Sequence, residues 1–173
     1  MKRLILYLLI SILSATGLLL NAQSSPPKCN NSVYMELGGN GMTYTFNVDH
    51  WIRSESGVAI VPRVGYGYTP SNLFNGEDSF FAFPLELSFL VPVKNYNNYL
   101  EVAFGTTFIR AFGESITNDK TKSSIIRAGY RYQKPEGGFL FRAGLLAVYN
   151  FYNGSSGRTK LQPWVGLSFG YAF

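Results

Sequence analysis

The chain has 173 residues, 16% of them aromatic and only 14% charged, and it contains 18 glycines. Because no long helical periodicity follows residue 22, this composition predicts an all-β protein. The single cysteine, Cys29, excludes a disulfide within the chain. The net charge of +5 does not establish a nucleic-acid-binding surface, since part of the excess lies in Lys2 and Arg3 and in the predicted connections. We therefore expect no nucleic-acid partner.

The first 22 residues have the features of an export signal. Lys2 and Arg3 precede an apolar run from Leu4 to Leu20, and the small Ala22 follows at a suitable cleavage position. We expect residues 1–22 to be a cleaved signal peptide. A retained membrane anchor is the alternative, but no second apolar helix follows in the sequence.

About 150 residues remain after cleavage, which is enough for one domain. We expect residues 23–31 to be a periplasmic leader and residues 32–173 to be that domain. Cys29 could be a lipidated cysteine, yet the preceding residues Pro26 to Lys28 are unlike the Leu and small-residue box that lipidation requires.

Eight segments of alternating hydrophobicity fill the predicted domain. They span 33–39, 42–52, 57–68, 80–91, 99–109, 124–132, 138–149 and 162–173. Apolar residues at every second position predict β-strands. Most segments are close in length to the ~9–11 residues that a tilted strand needs to cross a bilayer. An even number of such strands predicts an eight-stranded, antiparallel, up-and-down transmembrane β-barrel with both termini on one side.

The predicted connections differ in length between the two ends of this barrel. Those on the periplasmic side are short or moderate: 53–56, 92–98 and 133–137. Those on the outer side are longer and rich in Gly, Asn, Ser and charge: 69–79, 110–123 and 150–161. The first outer connection is an exception, because Asn40-Gly41 predicts a tight hairpin.

The two faces of the predicted strands have opposite character. One face carries apolar and aromatic residues without Asp, Glu, Lys or Arg, and His50, near a strand end, is its only ionisable residue. The other face carries four acids and four arginines: Glu36, Asp49, Arg63, Glu86, Glu101, Arg127, Arg131 and Arg142. A soluble lipocalin-like barrel would show the reverse, with an apolar cavity and a charged exterior. The pattern predicts lipid outside and a polar, charge-compensated lumen.

The interior of this barrel is expected to be closed. Four arginines can pair with four carboxylates, as buried charges require. Seven bulky residues are also predicted to point inward: Tyr34, Trp51, Phe80, Leu90, Tyr99, Leu140 and Trp164. An eight-stranded barrel is only wide enough for side chains, so an open diffusion pore is disfavoured.

The last predicted strand carries the pattern that is most informative about the class of protein. Its alternate residues Val165, Leu167, Phe169, Tyr171 and Phe173 are apolar or aromatic, and most residues between them are small. This ending resembles that of small outer-membrane β-barrel proteins of the OmpA/OmpX kind. The resemblance implies location in the bacterial outer membrane of a Gram-negative cell. It also implies that Phe169, Tyr171 and Phe173 form the signal that the barrel-assembly machinery recognises.

Catalysis and metal binding receive little support from the sequence. Small outer-membrane barrels include lipid A deacylases, which need Ser, His and a carboxylate. The only histidine, His50, adjoins Asp49, and adjacent strand residues point to opposite faces, so the two cannot form a dyad. One His and one Cys far apart in sequence predict no metal site. We therefore expect no catalytic residues, no cofactor and no enzyme activity.

The sequence favours an envelope structural or surface-interaction protein, with outer-membrane lipids as its surroundings. An unidentified ligand could bind the polar outer connections around residues 118–122 and 153–158. A lipid-modifying barrel enzyme and a soluble periplasmic lipocalin-like binder remain the alternatives.

Overall fold

The computed structural model of the chain describes residues 29–53, 57–71, 79–93, 95–112, 120–149 and 161–173. These residues form nine strands: β1 (Asn31–Gly38), β2 (Tyr44–His50), β3 (Ile52–Arg53), β4 (Ala59–Thr69), β5 (Ser79–Val93), β6 (Asn95–Phe112), β7 (Lys120–Gln133), β8 (Gly138–Tyr149) and β9 (Leu161–Ala172). A short 3₁₀ turn, Gly39–Gly41, connects β1 to β2. None of the described helical residues forms a segment long and apolar enough to span a membrane. The expected signal peptide lies outside the described residues.

The strands form one closed antiparallel sheet. Their order is β2-β1-β9-β8-β7-β6-β5-β4-β3, and β2 also pairs with β4, which closes the sheet into a barrel. β3 follows β2 after a single intervening residue, Trp51, and both pair with β4, so they occupy one position in the barrel. The predicted all-β, eight-stranded antiparallel barrel is therefore confirmed.

Strand pairing extends further at two hairpins than the sequence predicted. The expected connection 92–98 is almost entirely strand, because β5 runs to Val93 and β6 begins at Asn95. The expected connection 110–123 is likewise shortened, since β6 continues to Phe112 and β7 begins at Lys120. Both segments contain polar residues that are typical of turns, but hydrogen bonding to the neighbouring strand keeps them extended.

The alternating burial of the strands separates an apolar exterior from a polar interior. Large exposed hydrophobic residues occur on all eight barrel positions, among them Phe46, Leu87, Phe104 and Leu145. The eight charged residues predicted to face inward are all buried. Within the predicted strand bounds no Lys or Arg faces outward, as expected. Beyond these bounds, at one end of the barrel, the extended β6 and β7 place Arg110 and Lys122 on the exterior.

An apolar cluster fills the barrel at the end where β1 begins. It consists of Trp51, Ala59, Val61, Leu90 and Tyr99. The rings of Trp51 and Tyr99 meet edge to face, with centroids 5.0 Å apart. This cluster excludes water from the end of the interior that carries the short connections.

A second apolar cluster, Ile125, Leu146 and Val148, lies towards the opposite end.

Two of the bulky residues predicted to fill the interior do not do so. Trp164 is 40% exposed, and Phe80 is only partly buried. Both lie near strand ends that carry the longer connections, where the wall no longer surrounds an inward-pointing side chain.

The opposite environments of Leu87 and Ser88 allow a test of which side chains of β5 face the exterior and which face the interior. Leu87 is 41% exposed on the exterior, whereas Ser88 is 2% exposed and lies inside. For the barrel in lipid vesicles, Leu87→Arg should lower the free energy of unfolding by roughly 2–4 kcal/mol, because there it places a charge against acyl chains. Ser88→Ala is the matched control and should change it little. Urea unfolding in lipid vesicles measures both, and equal tolerance at the two positions would contradict the facing.

Candidate functional site: the charged barrel interior

Two carboxylates at the centre of the interior each accept ion pairs from three arginines. Glu36 Oε1 lies 2.6 Å from Arg127 Nη2 and 3.8 Å from Arg142 Nη1, and Glu36 also pairs with Arg63. Glu86 lies 3.2 Å from both Arg63 Nη1 and Arg127 Nε, and it also pairs with Arg142. The five side chains come from β1, β4, β5, β7 and β8, so the network joins strands around the whole barrel.

A third carboxylate, Glu101 on β6, completes this network. Arg142 Nε donates to Glu101 Oε2 at 2.6 Å, and Arg142 Nη2 donates to Glu101 Oε1, which makes the pair bidentate. Among the described residues, Arg142 is the sole ion-pair partner of Glu101. The network thus contains three arginines and three carboxylates and is electrically neutral.

The ring of Tyr34 lies between the arginines of the interior. The guanidinium carbons of Arg63, Arg131 and Arg142 are 5.5, 5.9 and 5.9 Å from its ring centroid. A cation within about 6 Å of an aromatic face is attracted by the ring quadrupole. Tyr34 therefore separates like charges while contributing to their stabilisation.

Asp49 and Arg131 form a second neutral unit nearer the apolar cluster. Arg131 Nη1 lies 2.6 Å from Asp49 Oδ2. The same guanidinium donates to Gln133 Oε1 at 2.6 Å and to Ser32 Oγ at 2.9 Å, and it covers the ring of Trp51 at 4.9 Å. Sequence reasoning did not identify Gln133 or Ser32, although both occupy inward positions by alternation.

The connection between β1 and β2 folds into the barrel instead of projecting from it. Asn40 is 1% exposed, and its Nδ2 donates to Glu86 Oε2 at 2.6 Å. Arg127 Nη2 donates to Asn40 Oδ1 at 3.2 Å, and Thr107 Oγ1 donates to the Asn40 carbonyl oxygen at 2.9 Å. The short hairpin predicted at Asn40-Gly41 is present between β1 and β2. What the sequence did not predict is its direction, since the turn is a buried part of the charge network.

This inward turn requires a glycine at position 39. Gly39 has a φ of +62°, and an added Cβ would lie 2.2 Å from Glu36 Cδ. Only a residue without Cβ fits both the backbone conformation and the space. Across the interior, a Cβ on Gly166 would lie 3.0 Å from the Gly39 Cα and 3.2 Å from Arg127 Nη1. The small inner face of β9 thus makes room for the turn.

His50 lies apart from the charged interior. Its ring is exposed, and His50 Nδ1 is 2.8 Å from Asn31 Oδ1. Asp49 points inward to Arg131, as the alternation predicted, so the two neighbours do not interact as a dyad. The described residues contain no group of three or more His, Cys, Asp or Glu that could hold a metal ion.

The C-terminal strand joins the barrel on both sides. β9 pairs with β1 and β8, and the side chains of Phe169, Tyr171 and Phe173 are exposed on the exterior. The backbone of Phe173 exchanges hydrogen bonds of 2.8 and 3.0 Å with Asn31. The end of the expected leader also contacts the barrel, since the Cys29 N–H donates to the Pro135 carbonyl oxygen at 3.0 Å.

Of the outer connections expected to meet a ligand, 153–158 lies outside the described residues. In the other, 118–122, the part from Lys120 onwards belongs to β7.

No family model matches the chain, and no curated protein sequence matches it significantly. Its fold has the architecture of small outer-membrane β-barrels. A solved structure with this fold is the crystal structure of the N-terminal β-barrel domain of Pseudomonas aeruginosa OprF, with a TM-score of 0.56 and 13% sequence identity. The match covers 87% of this chain and 100% of the OprF chain. At this identity the similarity shows the fold alone, and it confirms the resemblance at that level.

The sole pairing of Glu101 with Arg142 yields a double-mutant test. Arg142→Met should lower the free energy of unfolding by about 3–5 kcal/mol, because it leaves a buried carboxylate unpaired. Adding Glu101→Gln should recover part of this loss. Adding Glu86→Gln should recover less, since Glu86 keeps Arg63 and Arg127 as partners. Urea unfolding of the single and double variants measures the coupling, and strictly additive losses would contradict the pairing.

The buried turn yields a second test. Asn40→Ala removes the contacts to Glu86 and Arg127 and should cost about 1–3 kcal/mol of unfolding free energy. The control is Asn31→Ala, which removes an exposed side-chain hydrogen bond to His50 and should cost less than about 0.5 kcal/mol. Thermal or urea unfolding compares the two, and equal effects would show that the Asn40 contacts contribute no more than surface ones.

Proposed function

We propose that this protein is an outer-membrane β-barrel with a closed, salt-bridged lumen that acts as an envelope structural or surface-interaction protein. The observation that carries the proposal is the separation of the two faces. The exterior is a belt of exposed apolar side chains, and the interior is a compensated network of buried charges. A chain with this inversion is stable with lipid around it and without bulk water inside it.

The filled interior favours a structural role over transport. The inward turn at Gly39–Gly41, the charge network that it contacts and the apolar cluster around Trp51 follow one another along the barrel. The interior of an eight-stranded barrel is too narrow to hold a continuous channel once side chains fill it. Diffusion of even a small solute would require several buried ion pairs to separate at once, which is costly.

The exterior argues against the soluble alternative. Soluble monomers rarely expose apolar patches above a few hundred Å². Here exposed large hydrophobic residues occur on strands all around the barrel, including Val48, Val64, Leu100 and Leu167. A lipocalin-like binder would instead need an apolar cavity where this barrel holds Arg127 and Glu86.

An enzymatic role finds no matching constellation in the described residues. His50 is exposed at the barrel end that carries the short connections, and the side-chain contact it makes there is with Asn31. We propose that the connections following β4, β6 and β8 meet a partner outside the cell, since loops on a rigid scaffold commonly carry binding residues. We also propose that Phe169, Tyr171 and Phe173 serve as the recognition signal for the barrel-assembly machinery.

Fractionation tests the proposed location. The protein should be found in detergent-extracted outer membrane as a heat-modifiable band on a gel, because a folded barrel migrates differently from the unfolded chain. Release by osmotic shock would support the soluble binder instead. Mass profiles of lipid A from cells with and without the protein test the enzyme alternative, and we expect the two profiles to be the same.

Conductance tests the closed lumen. In a planar bilayer the native protein should give small or no current, because paired charges and the buried turn occlude the bore. The paired truncation Glu101→Ala with Arg142→Ala keeps the interior neutral while removing side-chain volume, so it should conduct more than the native protein. Large, stable single-channel steps from the native protein would mean that the lumen is water-filled.

A further inference from the structure

Two cations on the exterior lie near the barrel end that carries the longer connections. Arg110 on β6 and Lys122 on β7 are exposed and face outward. The strand register places Phe108 opposite Lys122 and Lys120 opposite Arg110, so Arg110 and Lys122 are diagonal neighbours. Diagonal cross-strand neighbours are about 7–8 Å apart at the backbone, within reach of one anionic group.

Each of the two cations lies close to an aromatic ring on the exterior of the barrel. The guanidinium of Arg110 is 4.9 Å from the Phe112 ring centroid, and Lys122 Nζ is 5.7 Å from that of Phe108. Further exposed aromatic residues near this end, Tyr66, Tyr68 and Tyr149, belong to the same girdle. Such girdles mark the headgroup level of a membrane. The two cations therefore lie where lipid phosphates lie.

Lys122 has no carboxylate partner among the described residues, since each ion pair found there involves an arginine. A lysine against lipid with a second cation beside it is stabilised by an anion placed between them. An anionic lipid headgroup is therefore the group that complements these two positive charges on the exterior.

An apolar groove of about 330 Å³ lies further down the same side of the barrel. Its lining combines large and small residues of β7, β8 and β9: Ile126, Ala128, Leu145, Ala147, Leu161 and Pro163. Ala147 lies between Ile126 and Pro163 in the register, and its small side chain leaves the depression. Outward residues of β7 lead from Ile126 through Ser124 to Lys122, a distance of ~13 Å at ~3.3 Å per residue.

Resting on the proposed membrane location, we propose that this face binds a phosphate-bearing lipid. The phosphate contacts Arg110 and Lys122, and one acyl chain lies in the groove between Ile126, Leu145 and Pro163. Charge complementarity at the girdle and the alignment of the groove below it select a lipid over a soluble anion. A free phosphate would use the cations but not the groove.

Native mass spectrometry of the detergent-purified barrel tests the headgroup contact. Phosphatidylglycerol should be retained more than phosphatidylcholine with the same acyl chains. Lys122→Gln and Arg110→Gln should each lower phosphatidylglycerol retention about fivefold, the effect typical of one cation near an anionic lipid surface. Lys134→Gln is the matched control, since it removes the same charge from an exposed lysine at the opposite end. Equal loss in Lys122→Gln and Lys134→Gln, or equal retention of the two lipids, would overturn the proposal.

A separate variant tests whether the groove binds the acyl chain. Ala147→Phe fills the depression and should lower phosphatidylglycerol retention while Arg110 and Lys122 remain intact. Inorganic phosphate should displace the lipid poorly, and displacement as effective as that by phosphatidylglycerol would reduce the site to an anion site without an acyl chain. Heat-modifiable migration of each variant verifies folding. A folded barrel found in the outer membrane with unchanged retention in all variants would refute the lipid site alone, whereas recovery in the osmotic-shock fluid would refute the proposed location.

Discussion

The neutrality of the interior is the constraint on which the rest of this structure depends. Removing an ion from water costs several kcal/mol, and mutual attraction offsets that cost only when geometry and hydrogen bonding are good. Here Glu36 and Glu86 each pair with three arginines, while Glu101 and Asp49 each hold one guanidinium closely. Tyr34, Asn40 and Gln133 make further contacts with the guanidinium groups. The charge network occupies the middle of the interior, and the apolar clusters around Trp51 and Ile125 lie towards its two ends.

The same charges specify how the strands align. A slip of one residue in any charged strand would exchange its two faces, moving a charged side chain onto the apolar exterior and an apolar side chain inside. Both changes are unfavourable, so the apolar belt and the charged interior support one register. Backbone pairing alone is less selective, since hydrogen bonds form equally well in neighbouring registers. The separation of an apolar exterior from a charged interior therefore selects the strand register and also favours an apolar environment around the barrel.

Much of this architecture is predictable from local sequence, and the failures share a cause. Period-two alternation identifies the strands and their facing, because it depends only on neighbours along the chain. The extension of β6 past Arg110, the exposure of Trp164 and the inward fold at Asn40 depend instead on contacts with residues distant in sequence, such as the pairing of β6 with β5 and β7. Gly38 to Gly41 indicate a turn but not its direction, which is set by Glu86 and by the space beside Gly166. Which arginine meets which carboxylate likewise depends on the stagger between distant strands.

The distribution of the interior charges along the chain has a consequence for assembly. In the described strands all four buried carboxylates precede β7, where Arg63 is the one buried arginine, whereas β7 and β8 contribute three buried arginines and no acid. A partial barrel that ends before β7 is therefore anionic within, and the hairpin that follows it is cationic. Neither part can neutralise its own buried charges, so each is unfavourable as an isolated folded unit and is stabilised by pairing with the other. Pairing of the β7–β8 hairpin with the preceding strands therefore brings the interior close to neutrality, while β9, which carries no charged residue, joins β8 to β1.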